Sequence, residues 1–392
     1  MKNKNIAILV HNLDIGGVQK ALIEFSNKLS IDNYVTLYSI KENGILVESL
    51  SKNIRLVFIG GRTSLYSRVS NSRISDLTKI GEKLLKIMVK ISKILKCEPI
   101  LLRVFTKKIT KEYDVAISYT GRPGVWDYIV NIRMSAAIKI VWIHNDPYRL
   151  GLHHINVYRY YHKFNLIFNV SYDCRDKLNL LDNRISEKNF VMYNLVNKEY
   201  IRQQAVLEKD LFDKNCFNIV TVTRLQKDSK RLDRIIEVSE KLVYNGIINF
   251  CWHVVGDGTY YEQLKTDITA NKLDDYVKLY GFKKNPYPFI YQSDVFCLVS
   301  DYEGLPITLM EAKVLKKPII STNVDSVKEL INHEIDGLIV EKSSEDIYIG
   351  LKKMIEDKIF LGLLSNNASR FEEFSESNIS YFYSIVGNLY EE

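Results

Sequence analysis

The stretch DYEGLPITLMEAKVLKKP, residues 301–318, sets Glu303 and Glu311 eight residues apart around Gly304 and Pro306. The apolar run VFCLVS at 295–300 precedes it and reads as a buried parallel strand, so the chain passes from strand to loop to helix. Pro306 suits the first helical turn, which leaves Glu303 in the loop and Glu311 inside the helix. At a rise of about 1.5 Å per residue the two carboxylates stand about 10 Å apart. That is near or beyond the upper end of the spacing at which two acids flank one glycosidic bond with a water between them. The pair is placed to hold two hydroxyl-bearing rings. A helix N-terminus between the acids offers free N–H groups, and the small Gly304, followed by Leu305, lets an anionic group come close to them. Ring, diphosphate and ring together outline a nucleotide sugar.

Working outward, 392 residues exceed the size at which a single core keeps growing, so two domains of about 200 residues are expected. The 46% apolar and 26% charged content is that of an ordinary globular chain. No apolar run approaches the ~18 residues of a membrane span, and MKNKNIAILVHNL lacks a signal peptide's apolar core, so a cytoplasmic protein is expected. Cys97, Cys174, Cys216, Cys251 and Cys297 show neither metal-ligand nor disulfide spacing and read as packing residues. The net charge of +7 is unevenly spread: residues 1–200 carry +14 and residues 201–392 carry −7. The basic half should face something anionic.

The opening, NIAILVHNLDIGGVQKALIEFSNKLS, reads as a strand, a Gly16-Gly17 loop and an amphipathic helix. Strand candidates follow at 35–40, 54–60, 114–119, 139–144 and 166–171, and a second series at 217–225, 249–258, 277–282, 294–300 and 317–323. Alternating with helical stretches, they predict two doubly wound α/β units: 1–196 and 197–375, with 197–216 as the hinge. The apolar, aromatic tail 376–392 predicts a helix that either caps the second core or crosses back to the first domain.

The Glu303–Glu311 spacing, the Ala312 after it and the proline-led strand Pro318-Ile319-Ile320 resemble the E-x7-E signature of retaining nucleotide-sugar glycosyltransferases of the GT-B fold, family four. The resemblance implies two Rossmann-like domains facing across a cleft, the N-terminal one for the acceptor and the C-terminal one for the donor. It implies that Glu303 lies against the donor sugar and Glu311 holds the ribose hydroxyls. Arg224 and Lys230, in VTRLQKDSKRLDRII after the first strand of the second half, are implied as clamps on the departing diphosphate. Gly256, in HVVGDGTYYEQL, lies by the same resemblance near the nucleotide, and Phe282 borders the base pocket. A Gly-Asp-Gly turn alone is common, and without a third glycine it does not make a dinucleotide fingerprint. Gly16 and Gly17 match the family's first-helix turn, though a tight turn alone would also explain them. His144 ends a parallel strand, where ligands sit, and either positions the sugar or satisfies a core hydrogen bond.

Between 79 and 111, ten Lys or Arg stand against Glu82 and Glu98. Lys79, Lys83, Lys86, Lys90 and Lys93 repeat at helical steps beside Ile80, Leu84, Ile87, Ile91 and Ile94, the composition of a helix on an anionic bilayer. Packing on its own sheet is the competing reading. No nucleic-acid module is visible. The expectation is a peripheral, metal-independent glycosyltransferase without cofactor. It would move a hexose or N-acetylhexosamine from a UDP- or GDP-sugar to a glycan, lipid-linked acceptor in bacterial surface polysaccharide synthesis. A GT-B sugar-nucleotide epimerase and a non-catalytic partner subunit are the alternatives.

Overall fold

The computed structural model describes residues 1–41, 44–72, 74–94, 98–119, 124–368 and 375–391; Cys97 lies outside them. The chain divides into two compact units, Met1–Leu195 with Glu376–Glu392, and Val196–Ser375.

The first unit is a seven-stranded sheet of β1 (Asn5–Val10), β2 (Tyr34–Ser39), β3 (Arg55–Phe58), β4 (Ile109–Ser118), β5 (Met134–Ile143), β6 (Leu166–Asn169) and β7 (Asn189–Val191). Every pairing is parallel, in the order β3-β2-β1-β4-β5-β6-β7. Strands covered on both faces read as continuous apolar runs, and Ile6, Ala7, Ile8 and Leu9 are fully buried. The final helix, Ser375–Glu391, packs on this unit: the Phe382 ring meets Phe25, Trp142 and Phe168 at centroid distances of 5.1, 6.4 and 5.7 Å. Asn33 Nδ2 also donates to the Tyr383 hydroxyl at 3.2 Å.

The second unit holds β8 (Phe217–Val222), β9 (Phe250–Val255), β10 (Val277–Leu279), β11 (Val295–Leu298), β12 (Ile319–Thr322) and β13 (Leu338–Val340). Its parallel order is β10-β9-β8-β11-β12-β13. In each sheet the order reverses direction between two central strands, β1 and β4 in the first and β8 and β11 in the second. Crevices open beyond the carboxyl ends of strands at such a reversal.

The structure corrects the sequence reading in three places. Of the three three-residue edge strands, β7 and β13 were not anticipated, whereas β10 was. Residues 197–216, read as a polar hinge, are packed on the second unit. Ile201, Ala205 and Phe212 are buried, Asn285 Nδ2 donates to the Gln204 carbonyl at 3.0 Å, and Leu211 N–H donates to Gln292 at 2.9 Å. Pro306 is the N-cap, with ψ 104°, and the helix proper runs Ile307–Val314.

Candidate functional site

In the second unit the loops after β8 and β11 are neighbours because the strands pair directly. The β8 loop leads into a single helical turn, Lys227–Lys230, and the β11 loop carries Glu303. Asp301 N–H donates to the Ser229 carbonyl at 3.0 Å, tying one loop to the other. Lys230 Nζ then reaches both Glu303 oxygens, at 2.6 and 2.8 Å, and Ser300 Oγ donates to Oε1 at 2.7 Å. Behind it, Ser326 Oγ donates to the Glu303 carbonyl at 3.2 Å.

A second set of charges fixes this pairing. Arg231 sits at φ 47°, a left-handed conformation that costs roughly 1–2 kcal/mol for a residue with a side chain. Its guanidinium is held by Asp233 at 2.8 Å and Asp301 at 3.1 Å. The buried Arg234 donates to Asp301 at 2.6 Å and to the carbonyls of Val299 and Lys342, each at 2.7 Å. Burial opposes ionisation of Asp301, yet hydrogen bonds from Arg234 and Arg231 hold its carboxyl below the ordinary value. Arg231 is thereby committed to structure, and of the two adjacent cations Lys230 is the one that faces Glu303.

Glu311 is buried in the second turn of its helix and accepts from the Tyr287 hydroxyl at 3.1 Å. The Tyr200 ring stands edge-on to Tyr287 at 6.3 Å. Gly304 and Leu305 are buried at the helix entry. Arg224 is exposed in the β8 loop and makes no ion pair among the described residues. Gly256 has φ 146°, and a Cβ there would stand 1.8 Å from the Thr223 carbonyl oxygen, so glycine lets the β9 loop press against the backbone beside Arg224. Phe282 is exposed after β10, separate from the buried Tyr287–Glu311 contact.

In the first unit Gly16 caps the helix Gly17–Asp32 with φ −174°, an extended geometry open to any residue, so the fold itself does not demand glycine there. His144 directly follows β5 and is buried, its ring 4.4 Å from Tyr119 and stacked at 6.1 Å on Trp142. Among the described residues neither ring nitrogen has a hydrogen-bond partner. Burial pushes its pKa down to about 3, keeping the imidazole neutral at physiological pH.

Sequence reasoning missed Tyr287, Ser300, Asp301 and Arg234 as partners of the site. Asp301 and Arg234 stood inside stretches already singled out, but nothing in their spacing signalled that they meet.

The architecture is that of a GT-B chain: two doubly wound units whose candidate ligand groups cluster at the carboxyl ends of strands. Residues 203–373 match the model of the Glycosyl transferases group 1 family. The chain is similar, at 28% identity over 198 residues, to the N-acetylgalactosamine-N,N'-diacetylbacillosaminyl-diphospho-undecaprenol 4-alpha-N-acetylgalactosaminyltransferase of Campylobacter jejuni; the alignment covers 48% of this chain and 51% of that protein. It is 26% identical over 193 residues to the UDP-Gal:alpha-D-GlcNAc-diphosphoundecaprenol alpha-1,3-galactosyltransferase of Escherichia coli, covering 49% of this chain and 48% of that one. The chain thus spans about half the length of these curated relatives. Among solved structures, Anabaena HepE in complex with UDP and glucose aligns with a TM-score of 0.73 at 16% identity, over 98% of this chain and 99% of that one, a likeness of fold.

Proposed function

We propose that the chain is a retaining glycosyltransferase that moves a hexose or N-acetylhexosamine from a UDP- or GDP-sugar to a lipid-linked glycan in bacterial surface polysaccharide synthesis. The observation that carries it is the Lys230–Glu303–Ser300 group at the reversal between β8 and β11, with Glu311 buried on the helix that follows. Glu303 holds the donor sugar and Glu311 the ribose. Arg224 and Lys230, aided by the helix after Pro306, stabilise charge on the departing diphosphate. A phosphate would draw Lys230 away from Glu303 and free that carboxylate for the sugar hydroxyls. With protein cations assigned to the diphosphate, neither metal nor cofactor is part of the proposal. In the first unit His144, neutral and with no partner among the described residues, offers its nitrogens to an acceptor hydroxyl. Gly256 and Phe282 complete the proposed donor surroundings in the second unit.

The acceptor class rests on the two relatives, both named for diphosphoundecaprenol-linked acceptors. A lipid-linked acceptor places the work at the inner face of the cell membrane. Incubation with UDP- and GDP-sugars, with and without a polyprenyl-diphosphate glycan, tests the reading: nucleotide release should require the acceptor. Release without it would mark an epimerase, and no release with any donor would mark a non-catalytic subunit.

Two substitutions check the ribose grip by calorimetry with nucleoside diphosphates. Glu311→Ala should weaken binding by about 1–3 kcal/mol, since buried hydroxyls lose their acceptor. Tyr287→Phe removes the hydroxyl that donates to Glu311 and should cost about 0.5–1.5 kcal/mol. Unchanged affinity in Glu311→Ala removes that residue from the site.

A further inference from the structure

The helix Ile80–Ile94 is apolar on two opposite faces, and its own domain covers only one. Leu85, Val89 and Ser92 are buried, as is Glu82, which accepts from Arg68. At about 100° per residue this face lies roughly 140° around the helix from Ile80, Leu84, Ile87, Met88 and Ile91. Those five side chains are 45–78% exposed. Packing on the sheet therefore does not account for them, and five large apolar side chains on one helix face are more than scattered surface hydrophobicity. The next helix, Glu98–Phe105, repeats the arrangement: Leu102 is buried while Ile100 and Val104 are exposed.

The charge beside the stripe says what covers it. Lys79, Lys83 and Lys90 line one edge, all exposed and none ion-paired among the described residues, whereas Lys86 is spent on the Ser70 carbonyl at 2.7 Å. Arg103 in the last turn of the second helix, and Lys107 and Lys108 after it, continue the exposed cationic series. An apolar face bordered by unpaired lysines matches the boundary between acyl chains and anionic headgroups. A second copy of the chain would bring the same lysines against these, since residues 1–200 carry +14.

We propose that these helices form a membrane-docking surface, in which Ile80, Leu84, Ile87, Met88, Ile91, Ile100 and Val104 enter the acyl boundary of an anionic bilayer and Lys79, Lys83 and Lys90 meet lipid phosphates. The inference deepens the reading of a lipid-linked acceptor, but its test needs neither donor nor acceptor. Flotation of the full chain with vesicles of phosphatidylcholine containing about a third phosphatidylglycerol should show binding that weakens as salt is raised. The Lys79→Gln, Lys83→Gln, Lys90→Gln triple variant should bind about a hundredfold less tightly. The Ile87→Ser, Met88→Ser, Ile91→Ser variant should lose at least about tenfold. Both alter exposed positions, so thermal unfolding and nucleoside-diphosphate affinity should match the parent.

Absence of flotation by the parent, or equal flotation by the serine variant, overturns the proposal. So does sedimentation showing a dimer that the serine variant disperses, because the face then covers a second copy. Vesicle binding with no detectable sugar transfer would sustain the docking surface and remove the acceptor reading instead.

Discussion

Lys230→Ala is expected to lower kcat/KM for sugar transfer by about 10²–10³, with the fold intact. Under the proposed mechanism Lys230 supplies charge where the leaving diphosphate develops it, and removing one such preorganised donor typically costs about 3–4 kcal/mol of barrier. The loss should be larger than from Arg224→Ala, because Lys230 is already fixed at 2.6 and 2.8 Å from Glu303 whereas Arg224 lies exposed in the loop. Lys230→Arg should recover little, since a planar guanidinium does not reproduce a compact ammonium. Arg231→Ala serves as the contrast: its guanidinium braces Asp233 and Asp301, so the variant should lose stability before chemistry. Steady-state rates with matched melting curves distinguish these outcomes, and an unaltered rate for Lys230→Ala would take Lys230 out of the mechanism.

Asp127→Asn is expected to raise stability at pH 8 and leave it nearly unchanged at pH 4. Asp127 is buried in the first unit, where Ser118 Oγ donates to its Oδ1 at 2.6 Å and Oδ2 has no partner among the described residues. The nearby Tyr161 hydroxyl is buried, also without a partner among the described residues, and burial together with the Asp127 charge holds its pKa well above the ordinary value. Burial pushes Asp127 up to about 7, only partly offset by the Ser118 bond. The folded pKa exceeds the unfolded one, so the contribution is intact below about pH 4, where both states are protonated. It is lost as pH climbs towards 7, because the unfolded chain ionises first. The rise from the ordinary carboxylate value to about 7 corresponds to about 4 kcal/mol across that interval. Urea unfolding of both proteins at pH 5, 6, 7 and 8 should therefore show curves that diverge with pH in favour of Asp127→Asn. Parallel curves would mean that the Asp127 carboxyl titrates normally.

Much of the architecture was legible because a buried parallel strand is an unbroken apolar run. The segments at 35–40, 139–144 and 217–225 each overlap a strand, at Tyr34–Ser39, Met134–Ile143 and Phe217–Val222, with ends displaced by up to five residues. Strand ends drifted because the apolar run continues into the buried loop, as at Val299 and Ser300 after β11. The stretch 197–216 misled because its polar residues face water while Ile201, Ala205 and Phe212, too sparse to set a period, anchor it to the second unit.

In the candidate site, Glu303, Glu311, Arg224 and Lys230 stood out by type and spacing within short windows. Their partners did not, because Arg234 and Asp301 are 67 positions apart and Tyr287 and Glu311 are 24 apart. The amphipathic helix shows the same division. Helical period separates Ile80, Leu84, Ile87 and Ile91 from the lysines, but it says nothing about whether that stripe or the one through Leu85 and Val89 is buried.

By itself the sequence determined most of the strands, and it singled out side chains whose chemistry suits a diphosphate or a ring. Those properties follow from local period and residue chemistry. Only the tertiary structure decided that Lys230 rather than Arg231 meets Glu303, that His144 is buried against Tyr119 and Trp142, and that an isoleucine stripe is left in the open. These depend on which strands lie side by side and which helix face a neighbour covers, and strand order is set by packing between segments far apart in the chain.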